Sequence, residues 1–192
     1  MKTMKPQKES IFTGNGNPFL KEKTSLWSAY STDGAEVEVG EFIYGLIRLI
    51  KPKVVIETGC YFGDTTEQIV KALKDNKFGK LYTCDIVDKY LEETEKKVGK
   101  SKYVEIRNMT GIDLIKEIGD EIEFAFIDSG YTARGEEIDE LVEHLSENQM
   151  FALHDTAPQH IKMRELSNEV ATKYNLRSIY LNSPRGLTIY EK

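Results

Sequence analysis

Residues 54–66 read Val54-Val-Ile-Glu-Thr-Gly-Cys-Tyr-Phe-Gly-Asp-Thr-Thr66, and this stretch decides the fold class of the chain. The β-branched run at its start is typical of a strand buried on both faces, as in parallel sheets. Gly59 and Gly63 follow, and because they lack a Cβ atom the backbone can turn sharply there and approach a ligand. A helix is predicted to begin near Thr65 or Thr66, whose hydroxyls can cap it. The stretch therefore predicts a strand–turn–helix unit with a ligand at its turn.

Alternating strand and helix patterns continue on both sides of this unit. Apolar residues recur at helical spacing over 39–50, and Pro52 ends that helix. The last two predicted strands are too close for a parallel crossover, so they must pair antiparallel. We therefore predict an α/β fold, a doubly wound Rossmann-like sheet of seven strands, mostly parallel, with an antiparallel C-terminal hairpin strand. The predicted strands are 54–56, 80–84, 103–106, 124–127, 150–153, 177–181 and 187–190, and the helices that follow residue 64 are 65–74, 89–98, 112–118, 135–145 and 161–174.

Composition limits the number of domains and the partners. The 192 residues, 40% of them hydrophobic, suffice for one good core. We expect residues 36–192 to form this domain and residues 1–35 to form a turn-rich leader that packs back as a cap. The leader carries aromatic candidates for a second pocket, namely Phe12, Phe19, Trp27 and Tyr30.

The net charge of −6 argues against nucleic acid as a partner, because duplex nucleic acid favours a positive field. No apolar run approaches the ~20 residues that span a bilayer, and the N-terminus lacks the apolar core of a secretion signal. The two cysteines, Cys60 and Cys84, are expected to be free thiols in a reducing compartment. We therefore expect a cytoplasmic protein without a membrane partner.

Ligands of open α/β sheets bind outside the carboxyl ends of the strands. Asp85 ends the second strand of the sheet, and a carboxylate there can accept both hydroxyls of a ribose. A helix cap or a solvated turn is the alternative. The glycine spacing is neither Gly-x-Gly-x-x-Gly nor a Walker loop, which argues against a dinucleotide or triphosphate site.

Two further carboxylates, Asp128 and Asp155, end the fourth and fifth strands and should face the same cleft. Such a pair suits Mg²⁺ or Ca²⁺, although both could instead cap helices or bind substrate without metal. His154 can serve as a general base, or it can hold its loop through the backbone. His160 and the pair Glu136-Glu137 are expected at the surface.

The segment from Val54 to Gly63 resembles the first S-adenosylmethionine (SAM)-binding motif of class I methyltransferases, which reads Glu/Asp-x-Gly-x-x-x-Gly in many O-methyltransferases. Residues 38–53 are similar to the helix before that motif. Phe126-Ile-Asp-Ser-Gly-Tyr131 and Leu153-His-Asp-Thr156, with Gly135 and Asp139, resemble a bacterial group of pattern Ile-Asp-Gly-x-His, Asp, His-Asp-Thr. The resemblance covers residues 36–192, and the family also reverses its final strand.

The resemblance implies roles by position. Glu57, Gly59 and Gly63 would hold the methionine part of SAM, and Asp85 would hold its ribose. The turn formed by Asn108, Met109 and Thr110 would lie beside the adenine, with Met109 where many relatives have an acid. The same cofactor site would include Cys60, Tyr61, Thr65, Ile86 and Asp128.

In metal-dependent relatives the pair matching Asp128 and Asp155 binds a divalent ion, and Thr156 stands where the third ligand is often Asn or Asp. Tyr131 stands where the group often has histidine and is a candidate acceptor contact, alongside Asp128 and His154 as catalytic candidates. The resemblance implies a SAM-dependent methyltransferase that acts on a hydroxyl oxygen of a small-molecule acceptor, with Mg²⁺ assistance, and a homodimer is common in such families.

Two other functions stay open from the sequence. One is a SAM-binding protein without transferase activity, and the other is an NAD-dependent oxidoreductase on a similar sheet. The sequence selects no particular acceptor, and it leaves N-linked and carboxyl acceptors open beside a hydroxyl.

Overall fold

The computed structural model describes residues 7–8 and 26–192, with side chains described from residue 26 onward. The aromatic candidates Phe12 and Phe19 lie outside these residues. Two short strands, β1 (Gln7–Lys8) and β2 (Ser28–Ala29), pair antiparallel at the N-terminal side. Within the described residues, no helix combines the length and the hydropathy needed to cross a membrane.

Six helices and seven further strands follow in the predicted alternation, with bounds within about two residues of those predicted. The helices are α1 (Val37–Ile50), α2 (Asp64–Asn76), α3 (Asp88–Val98), α4 (Gly111–Ile118), α5 (Arg134–His144) and α6 (Ile161–Lys173). The strands are β3 (Val54–Thr58), β4 (Lys80–Asp85), β5 (Val104–Asn108), β6 (Phe124–Ile127), β7 (Met150–His154), β8 (Arg177–Leu181) and β9 (Leu187–Glu191).

The seven strands β3–β9 form one sheet in the order β5-β4-β3-β6-β7-β9-β8. The pairs among β3 to β7 are parallel, whereas β9 runs antiparallel to both of its neighbours, β7 and β8. The predicted fold class is therefore confirmed, including the reversed C-terminal strand. Strand order reverses between β3 and β6, so the carboxyl ends of these two strands mark the expected ligand crevice.

The core lies on both faces of this sheet, because successive side chains of a buried strand point to opposite faces. Val55 packs in a cluster with apolar residues of α1, α2 and α3, while its neighbour Ile56 packs with those of α4, α5 and α6. Strands β3 and β6 are buried along their whole length. These two central strands therefore provide a rigid base for the loops that follow them.

The glycine turn after β3 is built as predicted, but the helix after it begins differently. Gly59 has a φ of +79°, and a Cβ atom there would lie 2.7 Å from the carbonyl oxygen of Asp128, so this loop packs directly on the loop after β6. Gly63 caps α2 in the left-handed conformation, and no side chain caps the helix. The predicted cap by Thr65 or Thr66 is wrong, because the helix already begins at Asp64.

Candidate active site

A cleft of about 430 Å³ opens at the carboxyl ends of the central strands. Loops after β3, β4, β6 and β7 line it, together with residues 33–35 of the N-terminal segment and Arg185 of the turn between β8 and β9. This volume lies in the range of small-molecule sites. The loop after β3 and the residues that end β4 line one end, and the residues that follow β6 and β7 line the other.

Glu57 lies in the buried β3 and reaches the first end of the cleft. The hydroxyls of Thr66 and Thr83 both donate to its Oε2, each at 2.6 Å. Burial raises the pKa of Glu57 to about 7, although these two hydrogen bonds oppose the shift. The Thr66 hydroxyl thus satisfies a buried carboxyl group instead of a helix terminus, and Glu57 changes its charge near neutral pH.

The carboxylate of Asp85 is fixed by backbone amides from two loops. Its Oδ2 accepts from the amide of Tyr61 at 3.1 Å, and its Oδ1 accepts from the amides of Ile86 at 2.8 Å and Val87 at 3.1 Å. Asp85 therefore stabilises its own turn, as the alternative interpretation predicted, and it also lines the cleft. A carboxylate offers about four lone-pair sites, so it can still accept from a diol. Ribose binding stays a prediction.

Cys60, Tyr61 and Thr65 line the same end of the cleft. The three residues predicted beside the adenine, Asn108, Met109 and Thr110, do not line the cleft. Met109 is half-buried and its amide donates to the carbonyl of Asp85 at 3.2 Å, so it lies next to that strand end. Thr110 caps α4 by accepting from the amide of Asp113. Asn108, Met109, Thr110 and the exposed Ile86 are not among the described residues that line the cleft, and their cofactor contact stays a prediction.

Arg134 of α5 lies between the two carboxylates of the predicted metal site. Its Nη2 donates to Asp128 Oδ1 at 2.8 Å and to Asp155 Oδ2 at 3.0 Å. Its Nε donates to the carbonyl of Ser129 at 2.6 Å, and its Nη1 donates to that of His154 at 2.8 Å. The Arg134 side chain is only 3% exposed. The carboxylates thus converge as predicted, but around a guanidinium group.

Arg185 holds Asp155 from the other side. Its Nε donates to Asp155 Oδ1 at 2.6 Å, and its Nη1 donates to the carbonyl of Thr32 at 3.0 Å. Burial alone would raise the pKa of Asp155, but the positive charges of His154, Arg134 and Arg185 lower it well below its usual value. Asp155 therefore stays ionised, and both of its oxygens are engaged with arginine.

The His154 ring lies between the carboxylates of Glu36 and Asp128. Its Nε2 lies 2.8 Å from Glu36 Oε2, and its Nδ1 lies 3.1 Å from Asp128 Oδ1. Burial would lower the pKa of His154, but the charges of Asp128 and Asp155 and these hydrogen bonds raise it to about 10. The ring is therefore an imidazolium that donates from both nitrogens. This geometry gives no support to proton abstraction. The alternative had the ring bonded to the backbone, whereas its contacts here are to the carboxylates of Glu36 and Asp128.

Glu36, just before α1, is a site residue that the sequence did not reveal. Its Oε1 accepts from the Ser183 hydroxyl and from the Arg185 amide, both at 2.7 Å. Burial would raise the pKa of Glu36, but the hydrogen bond and charge of His154, with the Arg185 amide, lower it. Glu36 ties the N-terminal segment, β7 and the C-terminal turn together across more than a hundred residues of sequence.

The predicted metal site does not fit a divalent cation. Donor atoms of Asp128, His154 and Asp155 all lie within 4.8 Å of one another, which is close enough for a shared ion. However, Arg134 lies between the two aspartates and donates to both, and the His154 Nε2 is already hydrogen-bonded to Glu36. Thr156, the third expected ligand, is fully buried, and its hydroxyl accepts from the Thr188 hydroxyl at 2.9 Å.

Tyr131 lines the end of the cleft formed by the residues that follow β6 and β7, and it pairs with a histidine that was expected at the surface. Its hydroxyl lies 2.7 Å from His160 Nδ1, and the His160 side chain is only 19% exposed. Burial and the charge of Asp155 raise the pKa of Tyr131 to about 12, while burial lowers the pKa of His160. At neutral pH the pair is therefore a phenol hydrogen-bonded to a neutral imidazole.

A family model described as "Methyltransferase domain" matches residues 56–156, which is more than half of the chain. The match begins in β3 and ends directly after Asp155. Asp155 belongs to the charged cluster, by which we mean the side chains of Glu36, Asp128, Arg134, His154, Asp155 and Arg185. No functionally curated protein matches the sequence.

Solved methyltransferase structures share the fold at low sequence identity. The chain is similar to the methyltransferase PaMTH1 of Podospora anserina bound to S-adenosylhomocysteine (SAH), with 16% identity, a TM-score of 0.72, and coverage of 83% of this chain and 80% of that one. It is also similar to the SAH-bound O-methyltransferase of Bacillus cereus, with 14% identity, a TM-score of 0.71 and 83% coverage of both chains. A third is the SAM-bound O-methyltransferase TomG of Streptomyces achromogenes, involved in tomaymycin synthesis, with 14% identity, a TM-score of 0.68, and coverage of 82% and 81%.

Proposed function

The chain belongs to the methyltransferase-domain family, and from that premise we propose that it transfers a methyl group from SAM to an oxygen atom of a small-molecule acceptor. The enzyme class predicted from the sequence, a SAM-dependent methyltransferase, is confirmed by the family match. The observation that carries the finer proposal is that one cleft is lined by Glu57 and Asp85 at one end and by Tyr131 and Arg185 at the other. One continuous space can thus hold a methyl donor and an acceptor side by side.

At the donor end, the chain's own groups match the polar parts of SAM. Glu57 is a buried carboxyl group that can pair with an ammonium group, and Asp85 is a fixed carboxylate that can accept from a ribose diol. SAM supplies a methyl group that is already activated on a sulfonium. The protein's task is therefore to orient the two reactants and exclude water, rather than to create an electrophile.

At the acceptor end, polar groups surround the remaining space. The hydroxyl of Tyr131, which is bonded to His160, and the guanidinium of Arg185 line this end. Neighbours of the same fold include O-methyltransferases, which supports an oxygen acceptor. Mg²⁺ assistance stays a prediction from the sequence. The proposed mechanism contains no metal ion, because Arg134 lies between the two carboxylates that would bind it.

The charged cluster fixes the geometry of the acceptor end. Arg134 joins the loop after β6 to the end of β7 through the carbonyls of Ser129 and His154. Buried charges that are fully paired and hydrogen-bonded stay in one arrangement, because leaving any of them unpaired is costly. This arrangement fixes the Arg185 side chain, which is bonded to Asp155 and to the carbonyl of Thr32, at the acceptor end.

Calorimetric titration with SAM, SAH and NAD tests the donor end. We expect micromolar binding of SAM and SAH, weakened at least about tenfold by Asp85→Ala because fixed hydrogen bonds to the ribose are lost. Asp75→Ala is the matched control, since Asp75 is exposed on α2 and is bonded to Tyr44. Binding of NAD without binding of either SAM compound would favour the oxidoreductase alternative instead.

Formation of SAH from SAM over a panel of phenols, alcohols, carboxylic acids and amines tests the acceptor. An oxygen acceptor that turns over supports the proposal, and turnover of amines alone contradicts it. SAM binding without turnover on any class favours the binding protein without transferase activity.

Three further expectations from the sequence stay predictions. They are a cytoplasmic location, a homodimer and the absence of a nucleic-acid partner. Light scattering measures the oligomeric state.

A further inference from the structure

We infer that Arg134 and Arg185 take the place and the charge of a divalent cation at Asp128 and Asp155, and that Arg185 binds the acceptor as an oxyanion. The acceptor's identity as the methyl-receiving molecule rests on the proposed function. The replacement of a metal ion by arginine is inferred only from the charged cluster. This inference and the proposed methyl transfer can therefore fail separately.

Arg134 occupies the position that a cation shared by the two aspartates would take. Mg²⁺ or Ca²⁺ bound by both aspartates would need to lie within about 2.6 Å of an oxygen from each. Arg134 Nη2 already lies 2.8 Å from one of these oxygens and 3.0 Å from the other. Two further hydrogen bonds, to the carbonyls of Ser129 and His154, anchor the same guanidinium in an almost fully buried position. A cation would have to displace a group that is held at four points.

The arginines also supply the charge that a divalent cation would bring. Within the charged cluster, the two carboxylates of Asp128 and Asp155 are paired with the two guanidinium groups of Arg134 and Arg185. The formal charge of these four groups is therefore zero without any ion. A divalent cation would leave two positive charges uncompensated in a largely buried site, which is unfavourable.

Arg185 supplies the group that meets the acceptor. Two of its three guanidinium nitrogens are engaged, Nε with Asp155 and Nη1 with the carbonyl of Thr32. Among the described residues Nη2 has no acceptor, while the side chain is 16% exposed and lines the cleft. The planar guanidinium group suits a carboxylate or a similar oxyanion. The acceptor class inferred is therefore a molecule that presents an anionic oxygen in the cleft.

Mn²⁺ binding, followed by electron paramagnetic resonance with and without SAH, tests the metal statement. We expect Mn²⁺ to stay free in the presence of the full chain up to about 1 mM. This concentration is far above the dissociation constant of a specific site. Arg134→Met should create a site at the freed carboxylates and bind Mn²⁺ at least about tenfold more tightly than the unaltered chain does. Stoichiometric binding to the unaltered chain that Asp155→Asn abolishes would overturn the inference, and this comparison decides it even if Arg134→Met fails to fold.

Side-chain NMR of arginine Nε–H groups tests the role of Arg185, with acetate as the oxyanion probe and acetamide as its neutral match. We expect acetate to shift the Arg185 resonance saturably and acetamide to leave it unchanged. Arg177 is the internal control, since it is 72% exposed and already pairs with Glu191. Equal shifts with both probes, or no shift with acetate, would overturn this role. Failure of the proposed function would instead appear as an absence of SAH binding.

Discussion

The two ends of the cleft are built in different ways. The donor end is made mainly from one strand–turn–helix unit, with Glu57 satisfied by neighbouring hydroxyls and Asp85 by backbone amides. The acceptor end is made from long side chains that come from distant parts of the chain and neutralise one another. Local backbone geometry thus defines the first end, whereas long-range electrostatic pairing defines the second.

Removal of Arg134 should have the largest effect on stability if pairing defines the acceptor end. Arg134→Ala leaves the buried Asp155 with one partner fewer, and breaking such a pair costs about 3–5 kcal/mol. Arg177→Ala breaks an exposed pair with Glu191 and should cost about 0–1 kcal/mol. Urea unfolding of both variants measures the difference, and equal losses would contradict the contrast.

Alkaline pH should also weaken the acceptor end. The pKa of His154 is raised from 6.5 to about 10, so the stabilisation it gives is complete below about pH 6.5 and is lost as the pH rises through 10. Between pH 7 and 8.5 the free energy of unfolding should fall by up to about 1.4 kcal/mol per pH unit. His154→Gln should flatten this slope, and an unchanged slope in the variant would contradict the imidazolium.

The donor end should respond in a lower pH range. The pKa of Glu57 is raised from 4.5 to about 7, so its contribution to stability is complete below about pH 4.5 and is lost as the pH rises through 7. Over the same range the affinity for SAH should rise as the carboxylate forms, by at most about tenfold per pH unit. Glu57→Gln should remove both trends, so the difference between variant and parent isolates them in denaturation and calorimetry.

The smallest expected effect distinguishes two roles of Thr66. Thr66→Val removes one hydrogen bond to Glu57 and should cost about 1 kcal/mol. The cost should be larger at pH 8 than at pH 5, because the ionised carboxyl group depends more on its donors. A cap would give a loss that does not change with pH. Thr172→Val, at an exposed position of α6, is the control and should stay within about 0.5 kcal/mol.

The residues that line the donor end could be predicted from the sequence, because they lie on one strand–turn–helix unit and on the strand that follows it. Gly59 and Gly63 follow a β-branched run, and Asp85 ends the next strand, so the sheet topology alone brings them to one crevice. The role of Thr66 was missed because helix termini and buried carboxyl groups compete for the same hydroxyls. A glutamate inside an apolar strand was the available signal, since such a group must find donors.

The acceptor end could be predicted only in part. Asp128 and Asp155 were expected to converge, because both end neighbouring parallel strands. Arg134, Arg185 and Glu36 gave no signal, since charges at helix ends and turns usually face solvent. Glu137 shows the same difficulty. It was expected on a solvated helix face, but it is buried and accepts from the hydroxyls of Thr58 and Ser129 at 2.9 and 2.7 Å.

The backbone of the N-terminal segment has a consequence for anyone who wishes to shorten this enzyme. The resemblance seen in the sequence would place the start of a minimal catalytic unit at residue 36. However, the carbonyl of Thr32 accepts from Arg185, residues 33–35 form one wall of the cleft, and Ala29 bridges to Glu36. We therefore expect a truncation joined at residue 36 to lose one wall of the cleft. We propose that an exchangeable module starts before β2, eight or more residues upstream of that junction.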